Sequence, residues 1–206
     1  IGFEGDAFTA RSEADAAFEM LRAAAVDLGA GPGEHWLQNR FNVSYKQSAM
    51  FDAGAFVDTM EVATTWSNLS RLYHAVKRAV RGRAFIMAHF SHAYSEGTSI
   101  YFTFAGFGAG LDETLSAYRG VWEAAQSAVV ASGASVSHHH GVGLSKAHNV
   151  PSDHLGGEGL FRAAKSGFDP VAIFNPGKVW TQEGLERAGD VQEDLRQRRM
   201  RPQAIK

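Results

Sequence analysis

Residues 84–106 read AFIMAHFSHAYSEGTSIYFTFAG, and this stretch decides which fold the chain can form. Two runs in it, 84–93 and 98–106, are rich in β-branched and aromatic residues, which is typical of strands. Glu96-Gly97 between them supplies the glycine of a tight turn. The stretch therefore predicts an antiparallel β-hairpin.

Further elements are predicted before the hairpin. Residues 55–63 (AFVDTMEVA) alternate apolar with polar side chains and predict a strand. Apolar residues then recur at helical spacing over 69–80, with Thr65 or Ser67 as the N-cap. The first part of the chain predicts a strand end, a helix and a loop, at residues 1–6, 12–28 and 31–33.

After the hairpin, an apolar stripe predicts a long helix over 112–132 that Gly133 ends. A short strand over 134–137 and a helix over 155–166 follow. This order of strands and helices predicts an α+β fold, namely a ferredoxin-like antiparallel sheet with helices on one face.

Composition excludes several classes of function. The chain has 206 residues, with 20 Lys and Arg against 22 Asp and Glu, so no basic excess indicates a nucleic-acid partner. Without cysteine there is no disulfide, thiolate metal site or cysteine nucleophile. No apolar run has the roughly 18 residues of a spanning helix. Because the chain begins with Ile1 and not Met, we expect it to be part of a larger protein.

The triplet His138-His139-His140, followed by Gly141, is the strongest local signal of chemistry. Imidazoles titrate near neutrality and suit proton transfer or contact with an anion, and a glycine lets a ligand approach the backbone. If the triplet is a strand, His138 and His140 point to one face and His139 to the other. A plain surface cluster is the alternative.

Other candidate sites are weaker. Tyr101 lies on a hairpin strand, where a phenol acts as an acid or base if a neighbouring cation or histidine stabilises its anion. Tyr45-Lys46 forms a polar cluster. His89 and His92 are expected on opposite faces of a regular strand, with no carboxylate placed beside them, so no metal site is predicted. Residues 106–111 (GFGAGL) lack the third glycine of a dinucleotide-binding loop.

Three motifs taken together resemble a known family. They are Ser137-His-His-His-Gly-Val-Gly143, the hairpin sequence Ser99-Ile-Tyr-Phe-Thr-Phe104, and Asp169-Pro170 followed by Asn175-Pro-Gly-Lys178. Over about residues 1–180 the chain resembles the C-terminal (cap) half of FAD-linked oxidases of the vanillyl-alcohol oxidase type. Within that group it looks most like the alkyldihydroxyacetonephosphate synthases and their bacterial relatives.

The resemblance implies a division of the protein. FAD would be bound mainly by an N-terminal domain that this chain lacks, encoded in the same gene or as a separate chain. Residues 1–134 would form the cap and substrate domain, and residues 135–180 a return segment that lines the flavin site. Residues 181–206 would form a charged tail.

The resemblance also implies an activity. In the synthases, flavin N5 forms an adduct with C1 of an acyl-dihydroxyacetone phosphate, and a fatty alcohol then replaces the departing fatty acid. By this analogy Tyr101 is the acid/base and the histidine triplet lines the active site. The flavin contacts would be His139, His140, Gly141 and Asn175, and the substrate contacts Tyr45 and Lys46, where the family has an arginine nearby.

Two other functions stay open from the sequence. One is an FAD-dependent oxidoreductase that oxidises a hydroxy acid or an alcohol, and the other is a non-enzymatic ferredoxin-like binding domain. The expected substrate is a small molecule or a lipid phosphate, with no nucleic acid and no metal. We also expect a cytoplasmic homodimer that contacts a membrane surface peripherally.

Overall fold

The computed structural model describes residues 1–42, 45–154 and 156–179, without the side chain of Lys46. The predicted charged tail, 181–206, lies outside the described residues. The chain divides into two compact units, one of Ile1–Ala49 and one that begins at Met50. No helix among the described residues is both long and apolar enough to cross a membrane.

The first unit is helical. Helix α1 spans Ala7–Leu21, α2 spans Gly31–Asn39, and α3, Tyr45–Asp52, begins in this unit. The predicted strand end at 1–6 is wrong: Asp6 instead caps α1, accepting hydrogen bonds from the backbone N–H groups of Phe8 (3.1 Å) and Thr9 (3.0 Å). The predicted loop at 31–33 is also wrong, because Pro32 has the backbone angle of a first helical turn.

The second unit contains a three-stranded antiparallel sheet in the order β1-β3-β2. The predicted hairpin is confirmed by the pairing of β2 with β3, and the predicted first strand by β1. The elements are β1 Ala55–Thr65, α4 Leu69–Val80, β2 Phe85–Ala93, β3 Gly97–Phe107 and α5 Leu111–Ser132, then α6 Val150–Asp153 and α7 Glu158–Phe168. Since β1 and β2 both run antiparallel to β3, they enclose it as in a ferredoxin-like split βαβ unit.

One face of this sheet packs against α4 and α5. Alternate residues of β1 and β3 and the apolar stripes of both helices are completely buried there, which confirms the predicted helices on one face. This core contains Met60, Val62, Ile100, Phe102, Phe104, Leu72, Val76, Val80, Val121, Ala125 and Val129. Gly133 ends α5 in the left-handed conformation (φ +71°), as predicted.

Two local predictions in this unit fail. Neither Thr65 nor Ser67 caps α4, because a 3-10 turn at Trp66–Asn68 precedes the helix and no side chain makes the capping bond. The strand predicted at 134–137 is reduced to one antiparallel bridge between Ala63 and Ser135. Beyond that bridge the chain crosses to the sheet face that α4 and α5 do not cover. There the backbone N–H of His138 donates to the Glu61 side chain and not to a neighbouring strand.

Candidate active site

The uncovered face of the sheet carries a row of polar side chains across its three strands. Glu61 of β1 and His89 of β2 are both register partners of Tyr101 in β3, so the three side chains lie on one face. Their neighbours in β1, Met60 and Val62, point to the opposite face and are buried in the core. The alternation of the strands therefore puts the polar row where no helix covers it.

An irregularity in β2 adds a second histidine to this face. The pairing shifts between Phe90 and His92, so that Ser91 is the extra residue of a β-bulge and His92 pairs with Ser99. His92 consequently lies on the same face as His89, and the expectation that they lie on opposite faces is wrong. Its ring centre is 4.7 Å from that of His139.

The histidine triplet forms a tight loop and not a strand, so the predicted alternation of its side chains is wrong. The backbone N–H groups of His138, His139 and His140 all point at one oxygen, Oε2 of Glu61, with N···O distances of 2.8, 3.2 and 3.5 Å. Three successive N–H groups directed at one anion form a backbone nest. This nest places the loop directly over the polar row.

The loop brings the predicted catalytic side chains together. The Tyr101 hydroxyl lies 2.5 Å from Nε2 of His139, and the Tyr101 ring centre is 4.7 Å from that of His140. Nδ1 of His139 is 2.7 Å from Nδ1 of His138, so one of these two nitrogens carries a hydrogen. Tyr101 and the whole triplet, predicted separately from the sequence, are therefore one connected cluster.

Two buried charged residues that the sequence analysis missed hold this cluster. Glu61 is fully buried, and Lys146 is 3% exposed. The Lys146 ammonium donates to the backbone oxygen of Glu61 (2.7 Å) and to the Ser137 hydroxyl (3.1 Å), and that hydroxyl donates to the backbone oxygen of Gly141 (3.0 Å). The sequence did carry one signal for Glu61, because it is a charged residue inside the predicted strand 55–63.

The surroundings keep Glu61 ionised. Burial is the largest influence and opposes ionisation, but the N–H groups of His138 and His139, the charge of Lys146 and the N–H of His140 together lower the pKa of Glu61. Burial is also the main reason that the pKa of His140 is lowered, against the opposing effect of Glu61. His140 is therefore neutral at neutral pH.

One set of atoms in the cluster has the spacing of a cation site. Oε1 of Glu61 lies 3.6 Å from Nδ1 of His138 and 3.3 Å from Nδ1 of His139, and it makes no hydrogen bond within the described part of the chain. Three ligands that each lie about 2 Å from one ion are separated by similar distances. Glu61 is a carboxylate beside His138 and His139 that the sequence did not predict. The absence of a metal stays a prediction.

The remaining predicted site residues are Gly141, Asn175, Tyr45 and Lys46. Gly141 is exposed with φ +73°, and nothing lies within 4 Å of where its Cβ would be. Asn175 has φ +48° and belongs to a segment that returns to the loop, where the N–H of Val179 donates to the Gly143 oxygen (3.3 Å). Tyr45 is an exposed residue of the first unit, so its substrate role, like that of Lys46, stays a prediction.

Taken by itself, this cluster supports acid–base chemistry. A phenol in a short hydrogen bond with an imidazole can release its proton to that imidazole and recover it. The Nδ1 atoms of the pair His138 and His139 are within 4 Å of a buried carboxylate oxygen, so both rings lie next to a fixed negative charge. Both rings are partly exposed, so a bound molecule can reach them.

Comparison with known proteins places the chain in a family. Residues 1–179 match the family described as FAD linked oxidases, C-terminal domain. The alkyldihydroxyacetonephosphate synthase of Dictyostelium discoideum is 30% identical over 87% of this chain and 31% of its own length. The synthase of Trypanosoma brucei brucei is 28% identical over 97% of this chain and 34% of its own length. The chain thus spans about a third of these relatives.

Other similarities agree with this placement. An uncharacterized FAD-linked oxidoreductase of Escherichia coli O157:H7, YgcU, is 27% identical over 61% of this chain and 28% of its own length. A solved structure of alkyldihydroxyacetonephosphate synthase superposes with a TM-score of 0.60 and 26% identity over 84% of this chain and 29% of that one. The chain belongs to the C-terminal domain family of the FAD-linked oxidases.

Proposed function

We propose that this chain is the substrate-binding and catalytic C-terminal part of an FAD-dependent enzyme that exchanges the acyl group of an acyl-dihydroxyacetone phosphate for an alkyl group. The observation that carries the proposal is the 2.5 Å contact between Tyr101 and His139 on an uncovered sheet face. The similarity to alkyldihydroxyacetonephosphate synthases over most of the chain supports the choice of reaction.

The residues present fit one part of an FAD molecule. The family is one of FAD-dependent enzymes, and the partly exposed imidazoles of His139 and His140 offer polar edges that could contact a flavin ring. The open space at Gly141 allows close approach to the backbone, and Asn175 would contribute from the return segment. The chain has no glycine-rich loop suited to the pyrophosphate, so an N-terminal FAD-binding domain would hold that part.

When bound, FAD would supply the electrophilic ring at which the substituents exchange. This chain's part is to move protons beside it. Tyr101 would accept a proton from the substrate on its hydroxyl oxygen while its own proton passes to Nε2 of His139, and the reverse transfer would protonate a later group. His140, which stays neutral, would line the pocket without adding charge. Lys46 would supply positive charge toward the substrate phosphate.

The proposal is tested on the complete flavoprotein that contains this chain. The protein is incubated with acyl-dihydroxyacetone phosphate and a radiolabelled fatty alcohol, and the flavin spectrum is recorded at the same time. We expect a labelled ether lipid and free fatty acid with no net bleaching of the flavin. Absence of labelled ether at any substrate concentration would refute the exchange reaction.

The same measurement addresses the second candidate, an FAD-dependent oxidoreductase, which the likeness to the E. coli oxidoreductase favours. Under anaerobic conditions its substrate, a hydroxy acid or an alcohol, would bleach the flavin. A complete protein without bound flavin would favour a non-enzymatic binding domain instead. The predicted homodimer and peripheral membrane contact are tested on that protein by its solution mass and by co-sedimentation with vesicles.

A further inference from the structure

We propose that Glu61 is the positioning residue of this site: it fixes the histidine loop over Tyr101 and sets the tautomer in which His139 accepts the Tyr101 proton. The inference rests on the proposed function, because it concerns the same proton transfer. Glu61 lies in β1, 78 residues before His139, and no motif in the sequence connects the two.

Glu61 sets the position of the loop. Its Oε2 accepts hydrogen bonds from the backbone N–H groups of all three histidines, and Lys146 links the Glu61 backbone to Ser137 at the start of the loop. Within the described residues, the loop has no strand partner beyond the single bridge at Ser135. One buried carboxylate therefore determines where three imidazoles lie.

The same carboxylate also bears on the tautomer of His139. Its Nδ1 faces Oε1 of Glu61 at 3.3 Å, and a carboxylate at that distance favours a hydrogen on Nδ1. Nε2 is then free to accept the hydrogen of the Tyr101 hydroxyl, 2.5 Å away. The carboxylate beside Nδ1 and the reacting hydroxyl on Nε2 stand in the same order as in a hydrolase triad, but here Oε1 acts by its charge, and the Nδ1 hydrogen can bond to Nδ1 of His138, 2.7 Å away.

Burial of this carboxylate has a cost to the fold. Oε1 of Glu61 is buried and makes no hydrogen bond with any described residue, which destabilises the folded protein unless the charge interacts with something nearby. The groups beside the His139 ring that carry or can carry charge are His92, His138, His140 and Tyr101. Among the described residues, Glu61 is the acid whose carboxylate lies within 4 Å of that ring.

The test compares Glu61→Gln with Asp58→Asn in the complete flavoprotein. Both changes turn a carboxylate of β1 into an amide of the same shape, but Asp58 lies on the helix face, where it accepts hydrogen bonds from Tyr118 (2.7 Å) and Trp122 (3.1 Å). We expect Glu61→Gln to lower kcat about 10- to 100-fold with KM changed less than about threefold, because the amide loses the charge but still accepts N–H groups. Asp58→Asn should leave kcat unchanged.

Two measurements report on the role without using activity. In ¹⁵N-histidine spectra, Nε2 of His139 should be unprotonated in the wild type and partly protonated in Glu61→Gln. In Glu61→Ala, amide hydrogen exchange in residues 137–141 should accelerate by at least about tenfold, because the loop loses its acceptor. If Glu61→Ala does not fold, the Glu61→Gln spectra decide the question alone.

Defined results would overturn the proposal. They are a kcat for Glu61→Gln equal to that of Asp58→Asn, an unchanged His139 spectrum, or a stoichiometric metal in the wild type that Glu61→Gln loses. The last result would make Glu61 a metal ligand. A wild type that makes no ether product refutes the proposed function instead, and the spectra and the exchange rates still test Glu61.

Discussion

Replacing Tyr101 with phenylalanine removes one hydroxyl and tests the candidate site directly. In the structure that hydroxyl has a single described partner, Nε2 of His139 at 2.5 Å, and the residue is only partly buried. Loss of one such hydrogen bond costs the fold about 0.5–1.5 kcal/mol. Loss of a general acid or base costs a reaction about 10²- to 10⁴-fold in rate. At about 1.36 kcal/mol for each factor of ten, a loss of at least 10² should raise the activation barrier by at least about 2.7 kcal/mol.

The assay for this change is kcat for ether formation by the complete flavoprotein, with thermal melting measured on the same preparation. Tyr118→Phe is the matched control, because it removes a hydroxyl that donates to Asp58 (2.7 Å) on the helix face of the sheet. Burial, followed by the bond to Asp58, raises the pKa of Tyr118 to about 12, so this phenol does not exchange protons near neutral pH. Tyr118→Phe should lower the melting temperature and keep full activity. A Tyr101→Phe variant that keeps more than a third of the wild-type kcat would refute the reasoning.

Three further predictions follow from the same contacts. His140→Ala should lower kcat by at least about tenfold while the melting temperature changes little, because the ring is at the surface of the site and not in the core; normal activity with lost stability would contradict this. The pKa of Glu61 in the folded protein lies below its ordinary value of 4.5, so its stabilising effect is present above that pH and is lost as the pH falls through the folded-state pKa. Unfolding measured between pH 6 and pH 3 should show less acid destabilisation in Glu61→Gln than in the wild type. Gly97→Ala should disrupt the pairing of β1 with β3 and lower the melting temperature, because its Cβ would overlap the backbone oxygen of Thr64. Gly110→Ala is the control: nothing lies within 4 Å of where its Cβ would be, so its melting temperature should be close to that of the wild type.

The elements that the sequence predicted correctly are those with a clear period and a clear end. The hairpin, β1 and α5 each combine one hydrophobic repeat with a turn residue or a terminal glycine, so local information was sufficient. The predictions at 1–6 and at 31–33 failed because a single residue decides the local structure in each case. Asp6 caps α1, and Pro32 fits the first turn of α2. The strand expected at 134–137 failed because pairing depends on a partner elsewhere in the chain.

The site was predictable in its residue types but not in its geometry. Tyr101 and the histidine triplet were identified from the sequence, since phenols and imidazoles carry proton chemistry wherever they lie. Their contact was not, because it depends on the register of β1 with β3 and on how the loop turns back over the sheet. Likewise, only the bulge at Ser91 puts His92 beside His139.

By itself, the sequence determined the α+β class, the hairpin, the strand and helix patterns around it, and the side chains able to do chemistry, because periodicity and turn chemistry act over short distances. The tertiary structure alone decided that Glu61 meets His138, His139 and His140. That contact joins residues 77 to 79 positions apart through backbone N–H groups, which every residue except proline carries. Because a backbone donor is common to nearly all residue types, no pattern of side chains records which acid it will bind.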